Sequence, residues 1–245
     1  MMIYDIADLR IGIHNEEPYT TRFCAAYLSP DQSSAVDVSV SVTEAELQEE
    51  QIHSPQFSKG YIENICLYRN ICLQLPSFNR MLLHAAILEY EGNAYAFLGR
   101  SGTGKSTHTG LWMKYLPGSK IVNGDKPILS ITDDGVLAYG TPWMGKEGRG
   151  YNTKVPLKGL CFLRQAPENS IRKLTPSETA SLLFSQVLLP TEERAATKTL
   201  ELMDKLIECV PAWQLSCDIS EEAVSKSYEA MTQKKYCFKN GENTL

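Results

Sequence analysis

Residues 99–106 read Gly-Arg-Ser-Gly-Thr-Gly-Lys-Ser and match the spacing G-x-x-x-x-G-K-[ST]. Glycines lack a Cβ and can adopt positive φ, so successive backbone N–H groups can turn inward and approach phosphate oxygens. The lysine of this pattern brings a mobile positive charge to the β- and γ-phosphates, and the serine hydroxyl can bind the divalent cation that accompanies them. The segment therefore predicts a site for a nucleoside triphosphate.

The segments on both sides of the loop agree with this interpretation. The apolar run 94–98 predicts a strand, and a helix is predicted from residue 105 to about 115, where Leu-Pro-Gly stops it. A helix that begins at the loop points the positive end of its dipole at the phosphates. We expect nucleotide contacts from nine consecutive residues: Gly99, Arg100, Ser101, Gly102, Thr103, Gly104, Lys105, Ser106 and Thr107.

Asp125 is the candidate carboxylate of the site. It follows the predicted strand 120–123, and a hard cation that bridges phosphates takes carboxylate oxygen, directly or through water. Asp125 is also a candidate catalytic residue. The alternative interpretation is a plain turn formed by Asn-Gly-Asp at 123–125.

Histidines and further cations flank these motifs. His84 precedes the predicted hairpin 85–98 and could bind a metal or phosphate, or be simply hydrogen-bonded, while His108 faces either the site or the core. Lys146 lies in the glycine-rich segment 140–150, where a cation could neutralise charge on a transferred phosphoryl group or remain a solvated loop residue. The same alternatives apply to Arg149, whereas Lys126 could contact phosphate, replace the electrostatic role of a missing acid, or be a surface lysine before Pro127.

Composition excludes several classes of protein. The 245 residues carry a net charge of −5 with scattered basic residues, which argues against a nucleic acid or an anionic membrane as the main partner. No uncharged apolar run is long enough to span a bilayer, and acidic residues interrupt the first ten residues, where a signal peptide would need an apolar core. The seven cysteines are widely spaced and resemble reduced core thiols. We therefore expect a cytoplasmic protein.

The pattern of elements predicts an α/β protein with two parts. Residues 1–80 form a small N-terminal α/β module, and residues 81–245 form a nucleotide-binding core of sheet and helices. Strands are predicted at 36–42, 85–90, 94–98, 120–123, 128–132, 136–139, 157–163 and 213–217. Helices are predicted at 105–115, 176–189, 192–209 and from 218 or 220 to 231, with a short helix or solvated face at 43–50.

The run from Leu83-His84 through the loop 99–106 to Asn123-Gly-Asp125 resembles the HPr kinase and phosphoenolpyruvate carboxykinase superfamily. The segments Ser-Thr-His-Thr-Gly-Leu-Trp at 106–112 and Thr-Pro-Trp-Met-Gly-Lys-Glu-Gly at 141–148 are similar to those of short HPr-kinase-like bacterial proteins. The resemblance covers about residues 82–165. It implies a mixed β-sheet core of that type, flanked by helices, in which a hairpin delivers the phosphate-binding loop.

The resemblance also implies a Mg²⁺-dependent phosphotransferase that uses ATP, with Mn²⁺ as an alternative metal. Its acceptor would be a hydroxyl of a small molecule or of a protein or peptide; the choice of ATP over GTP and homo-oligomer formation stay open. Metal ligands would be Ser106, Asp125 and His84, and catalytic residues Asp125, Lys105 and Lys146. Two alternatives remain: a nucleotide-binding regulator without phosphotransfer, and a carboxykinase, for which the chain is short.

One departure from the family pattern concerns the second acid. These families often place two adjacent carboxylates where this chain has Gly124, Asp125 and Lys126. Asp125 would then serve both the metal and the acceptor hydroxyl, which favours the regulator.

Overall fold

A computed structural model describes residues 1–238. The first eighty residues form a three-stranded sheet covered by helices, in which β1 pairs with β2 antiparallel and β2 with β3 parallel. The elements are β1 (Met2–Ile6), β2 (Leu9–Ile13), α1 (Pro18–Phe23), β3 (Val38–Val40), α2 (Glu44–His53) and α3 (Lys59–Gln74). The predicted strand 36–42 is present in its central part, and the predicted short helix extends to residue 53.

The next segment contains the predicted hairpin and the helix behind it. Its elements are β4 (Arg80–Leu82), β5 (Ala85–Tyr90), β6 (Asn93–Leu98), α4 (Lys105–Tyr115), β7 (Lys120–Asn123), β8 (Ile128–Thr132) and β9 (Gly135–Tyr139). Strands β5 and β6 pair antiparallel around a tight turn, as expected. The helix begins and ends where the sequence predicts.

The last segment contains the longest strand and three helices. Its elements are β10 (Lys154–Gln165), β11 (Ser170–Lys173), α5 (Pro176–Leu183), α6 (Glu193–Cys209), β12 (Ala212–Cys217) and α7 (Glu221–Thr232). The predicted helix 176–189 is too long, because the chain leaves the α-helix after Leu183 for one 3₁₀ turn and then pairs Val187 with Leu83. The capping box that starts this helix, Thr175 with Glu178, is present.

Nine strands form one mixed sheet in the order β4-β8-β9-β10-β6-β5-β7, with β12 beside β10 and β11 beside β12. Strand β10 pairs antiparallel with β9 through its first residues and then parallel with both β6 and β12. Strand β7 is antiparallel to β5, which is antiparallel to β6. The carboxyl ends of β6, β7, β10 and β12 therefore lie at one edge of the sheet.

Helices cover both faces of this part of the sheet. Helices α4 and α7 enclose an apolar cluster that contains Phe97, Trp112 and Tyr228, and α5 and α6 cover the other face around Leu98 and Leu206. Alternate residues of β6 thus enter opposite cores, as the two-residue period of a strand requires. The architecture is an α/β fold with a mixed sheet flanked by helices.

The N-terminal module packs on the strands β8 and β9. Its apolar cluster, which includes Tyr4 and Leu67, also contains Ile128 and Tyr139. Asp8 accepts hydrogen bonds from Tyr139 Oη (2.7 Å) and Lys154 Nζ (2.8 Å). The division of the chain at residue 80 stays a prediction. Among residues 1–238, no helix is both long and apolar enough to cross a membrane.

Candidate functional site

A cleft of about 420 Å³ lies at the edge where β6 and β7 end. Three segments enclose it: the loop 99–104 with the first turn of α4, the turn 123–126 after β7, and the glycine-rich segment 140–150. The residues proposed from sequence that line it are His84, Ser101, Gly102, Gly104, Lys105, Ser106, Thr107, Asp125, Lys146 and Arg149. Gly99, Arg100 and Thr103 belong to the same loop but do not line this cleft.

The loop 99–104 takes its shape from glycines with positive φ. Gly102 and Gly104 have φ of 82° and 100°, values that residues with a side chain rarely adopt. A Cβ on Gly99 would lie 2.6 Å from Thr103 Oγ1. Gly104 precedes α4 and supplies no side-chain cap, so the first-turn N–H groups of that helix have no partner within the helix. This end of α4 is a suitable site for an anion.

Lys105 is folded against the loop from which it starts. Its side chain is buried, and Nζ donates a hydrogen bond to the carbonyl of Gly99 at 2.8 Å and lies 3.4 Å from His84 Nε2. Burial lowers the pKa of Lys105, and the negative charge of Asp125 opposes that shift. The ammonium group therefore lies between the loop and the turn that carries Asp125.

Asp125 and His84 form a close pair, with 3.2 Å between Oδ1 and Nε2. Burial is the largest influence on Asp125 and raises its pKa. The hydrogen bond from His84 and the charges of Lys126, His84 and Lys105 together outweigh burial, so the pKa of Asp125 is lowered. The carboxylate is consequently anionic at neutral pH, the state that a cation ligand or proton acceptor requires.

Asn123 shapes the turn that presents Asp125. Its buried Oδ1 accepts hydrogen bonds from the backbone N–H groups of Asp125 (2.9 Å) and Lys126 (2.7 Å). Its Nδ2 donates to the carbonyl and hydroxyl oxygens of Thr141 at 3.2 and 3.0 Å. The turn expected as an alternative for 123–125 is therefore present, and the carboxylate of Asp125 lines the cleft as well.

Gly124 has no space for a side chain. A Cβ there would lie 2.8 Å from the carbonyl oxygen of Met144 and 3.3 Å from that of Arg149. The N–H of Gly124 also donates to the Arg149 carbonyl at 3.0 Å. A carboxylate side chain at position 124 would therefore clash with the backbone of the segment 140–150.

The glycine-rich segment packs directly on Asp125. Gly145 has a φ of 77°, and a Cβ there would lie 2.8 Å from Asp125 Cβ. Lys146 and Arg149 are exposed and both line the cleft, and Arg149 pairs with Glu147 at 3.4 Å. Both cations are therefore solvated loop residues that also border the cleft.

His108 and Lys126, for which the sequence left alternatives open, do not line this cleft. His108 is 2% exposed, packs on Phe97, and shares a 3.0 Å hydrogen bond with Ser227 Oγ through Nε2. Burial lowers its pKa to about 4, so its core alternative is confirmed. Lys126 Nζ lies over the ring of Tyr68, 5.1 Å from its centroid, and acts on Asp125 through its charge.

The cleft contains oxygen atoms of the kind that bind a divalent cation. No group of three or more His, Cys, Asp or Glu side chains within residues 1–238 could hold a metal ion on its own. Ser106, Asp125 and His84 line the same cleft, however, and Mg²⁺ usually takes one or two protein oxygens together with phosphate oxygens and water. The Ser106 hydroxyl and Asp125 carboxylate fit that donor set.

Sequence reasoning did not assign a role in the site to several residues of the cleft. The lining also includes Thr109, Ile121, Met144 and Glu147. Asn123 orients Asp125 by accepting a hydrogen bond from its backbone N–H. Asn123 carries a sequence signal, the Asn-Gly-Asp turn pattern, and Met144 and Glu147 lie in the glycine-rich segment 140–150. No protein-family model matches this chain, and a search of curated proteins finds no match to it.

Proposed function

We propose that this chain is an ATP-binding, Mg²⁺-dependent phosphotransferase with a phosphate-loop core of the HPr kinase and carboxykinase type. It would transfer the γ-phosphoryl group to a hydroxyl of a small molecule or of a protein or peptide. The observation that carries the proposal is the convergence of Lys105, Ser106 and Asp125 on one cleft at the N-terminus of α4. The antiparallel hairpin that leads into the loop supports this core type.

The roles of the residues follow from their positions. The N–H groups of the loop and Lys105 bind the β- and γ-phosphates, and Ser106 and Asp125 hold the cation. Mg²⁺, when bound, neutralises charge on the phosphate oxygens. The hydroxyl oxygen of the acceptor bonds to the γ-phosphorus while the bond from the γ-phosphorus to ADP breaks, and Asp125 accepts the proton of that hydroxyl. His84 orients the carboxylate of Asp125. Lys146 neutralises charge on the transferred group.

A nucleotide-binding regulator that does not transfer phosphate is the second candidate. The observation that favours it is the contact of Gly124 with the carbonyl oxygens of Met144 and Arg149, which leaves no room for a second acid. Asp125 must then serve both as cation ligand and as proton acceptor.

Two substitutions in the cleft test the proposal. Lys105→Ala removes a cation that binds phosphate, so we expect ATP affinity, measured by calorimetry, to fall at least about tenfold. Asp125→Asn removes the proton acceptor, so transfer of labelled γ-phosphate to an acceptor in cell extract should fall by about 100-fold or more. The control is Lys114→Ala, an exposed lysine in the last turn of the same helix.

The outcomes separate the candidates. If the ATP affinity of Lys105→Ala equals that of the wild type, the proposed phosphate-binding site at Lys105 is wrong. If the wild type binds ATP but transfers phosphate to no component of the cell extract, the nucleotide-binding regulator is supported. If Asp125→Asn transfers phosphate as well as the wild type does, Asp125 takes no part in the reaction.

A further inference from the structure

A second cavity, of about 540 Å³, lies on the other side of the loop 99–104. It is enclosed by the first turns of α4, by residues 163–167 at the end of β10, and by residues 217–219 after β12. In the sheet, β7 and β10 lie on opposite sides of the β5–β6 hairpin. The cation cleft and this cavity are therefore arranged side by side along the same carboxyl edge.

The two cavities adjoin at the start of α4. Gly104 and Thr107 line both of them. A ligand whose phosphates occupy the first cleft can therefore extend into the second without leaving the edge of the sheet. Crevices outside the carboxyl ends of strands are where α/β proteins usually bind extended ligands.

The walls of the second cavity are mostly apolar. Leu111 of α4, Leu163 of β10, Pro167 and Ile219 all line it, and Ile219 is 76% exposed. Polar residues such as Thr103, Thr107 and His108 also line it, and the lining residue Gln165 donates from Nε2 to the Gly102 carbonyl at 3.1 Å. Apolar walls with a few polar groups, in a cavity within the usual range of about 300–1000 Å³, suit a planar heterocycle.

Asp218 supplies a fixed acceptor in this cavity. Asp218 lines the cavity, and its carboxylate accepts hydrogen bonds from Ser220 Oγ (2.5 Å) and Asn169 Nδ2 (2.9 Å), which lower its pKa. Both of these bonds reach Oδ1, so Oδ2 remains for a donor on a ligand. An exocyclic amino group of a base is such a donor.

We propose that this second cavity, between α4 and the ends of β10 and β12, binds the base and ribose of a nucleoside triphosphate. The inference rests on the proposed function, because it takes the phosphates to lie at the loop 99–104. Ile219 covers one face of the base, and Asp218 accepts a hydrogen bond from its amino group.

The test compares nucleotides with inorganic tripolyphosphate, which has the phosphates but no base. Calorimetry on wild type and Ile219→Ser would measure Mg-ATP, Mg-GTP and magnesium tripolyphosphate. We expect Ile219→Ser to weaken the better-bound nucleotide by about tenfold, because it removes apolar cover from the base, and to leave tripolyphosphate within about twofold. Ile52→Ser is the matched control, because Ile52 in α2 is 77% exposed and lies outside both cavities.

Photolabelling gives a second readout. With 8-azido-ATP, label should appear in peptides that contain residues 163–167 or 217–219. Label confined to other peptides, or equal affinity of wild type and Ile219→Ser for both nucleotides, overturns the inference. If tripolyphosphate binding persists in that case, the loop site stands and only the base site fails. If neither the nucleotides nor tripolyphosphate bind the wild type, the proposed function fails as well.

Discussion

Asp125 is held in place by its backbone neighbours as much as by charges. Asn123 fixes the N–H of Asp125, and His84 contacts its carboxylate. Gly145 packs against its Cβ from the opposite side, at a distance that only glycine allows. The position of the carboxylate therefore depends on a residue twenty positions away that carries no chemistry of its own.

A substitution at Gly145 should misplace Asp125. Gly145→Ala puts a methyl group 2.8 Å from Asp125 Cβ, so we expect γ-phosphate transfer and the Mg²⁺ dependence of ATP binding to fall at least about tenfold. Gly148→Ala is the matched control, because Gly148 also has positive φ (59°) but nothing lies within 4 Å of its Cβ position. Thermal melts would check that both variants fold. Equal transfer by the two variants would show that the contact with Asp125 is not needed.

Helix α4 is the element on which both cavities depend. It starts at Gly104 without a side-chain cap and contains Gly110 in its interior. A glycine inside a helix costs roughly 0.5–1 kcal/mol relative to alanine, because it loses more backbone freedom on folding. Nothing lies within 4 Å of a Cβ at Gly110, so space does not explain this glycine.

Gly110→Ala should stabilise the protein. We expect the free energy of unfolding, from urea titration, to rise by about 0.5–1 kcal/mol with ATP affinity unchanged. Gly104→Ala is the contrasting variant: its Cβ also meets nothing within 4 Å, but its φ is 100°, so strain should destabilise it by about 1–2 kcal/mol. Destabilisation by Gly110→Ala would contradict the open space found around a Cβ at this position of α4.

The elements that local signals define could be predicted from the sequence. The hairpin 85–98 and helix α4 follow from the turn at 91–93 and the loop pattern, and both are confirmed. Strands β1 and β2 were not predicted, because Ala7 and Asp8 form their turn at positive φ without a glycine. Helix α3 was also not predicted; its sequence has no strong amphipathic period, since buried residues occupy much of its surface.

The site was predictable only in part for a related reason. The loop residues are contiguous and follow from one motif. The contacts of Gly124 and Gly145 depend on how the segment 140–150 returns to β7, and pairing between distant segments leaves no local pattern. The second cavity could not be predicted for the same reason, because it requires the pairing of β10 with β12, which are far apart in the sequence.

At the scale of the whole molecule, a buried polar group links the sheet-covering helices α4 and α7. Ser227 Oγ of α7 accepts a hydrogen bond from Trp112 Nε1 (2.9 Å) and lies 3.0 Å from His108 Nε2. Within the described part of the chain, His108 Nδ1 has no hydrogen-bond partner. Burial lowers the pKa of His108 to about 4, so the ring is neutral at pH 7.

This buried histidine should make stability fall as pH falls. The native pKa of about 4 lies below the ordinary value of 6.5, so between these values the unfolded chain binds a proton that the native protein does not. The stabilisation is present above pH 6.5 and is lost as pH falls towards 4, by about 2 kcal/mol at pH 5. Urea titrations of wild type and His108→Gln at pH 7.5 and 5 would measure it, since the variant shares every other titrating group. The free energy of unfolding of wild type minus that of the variant should fall by that amount, and a pH-independent difference would contradict a neutral buried His108.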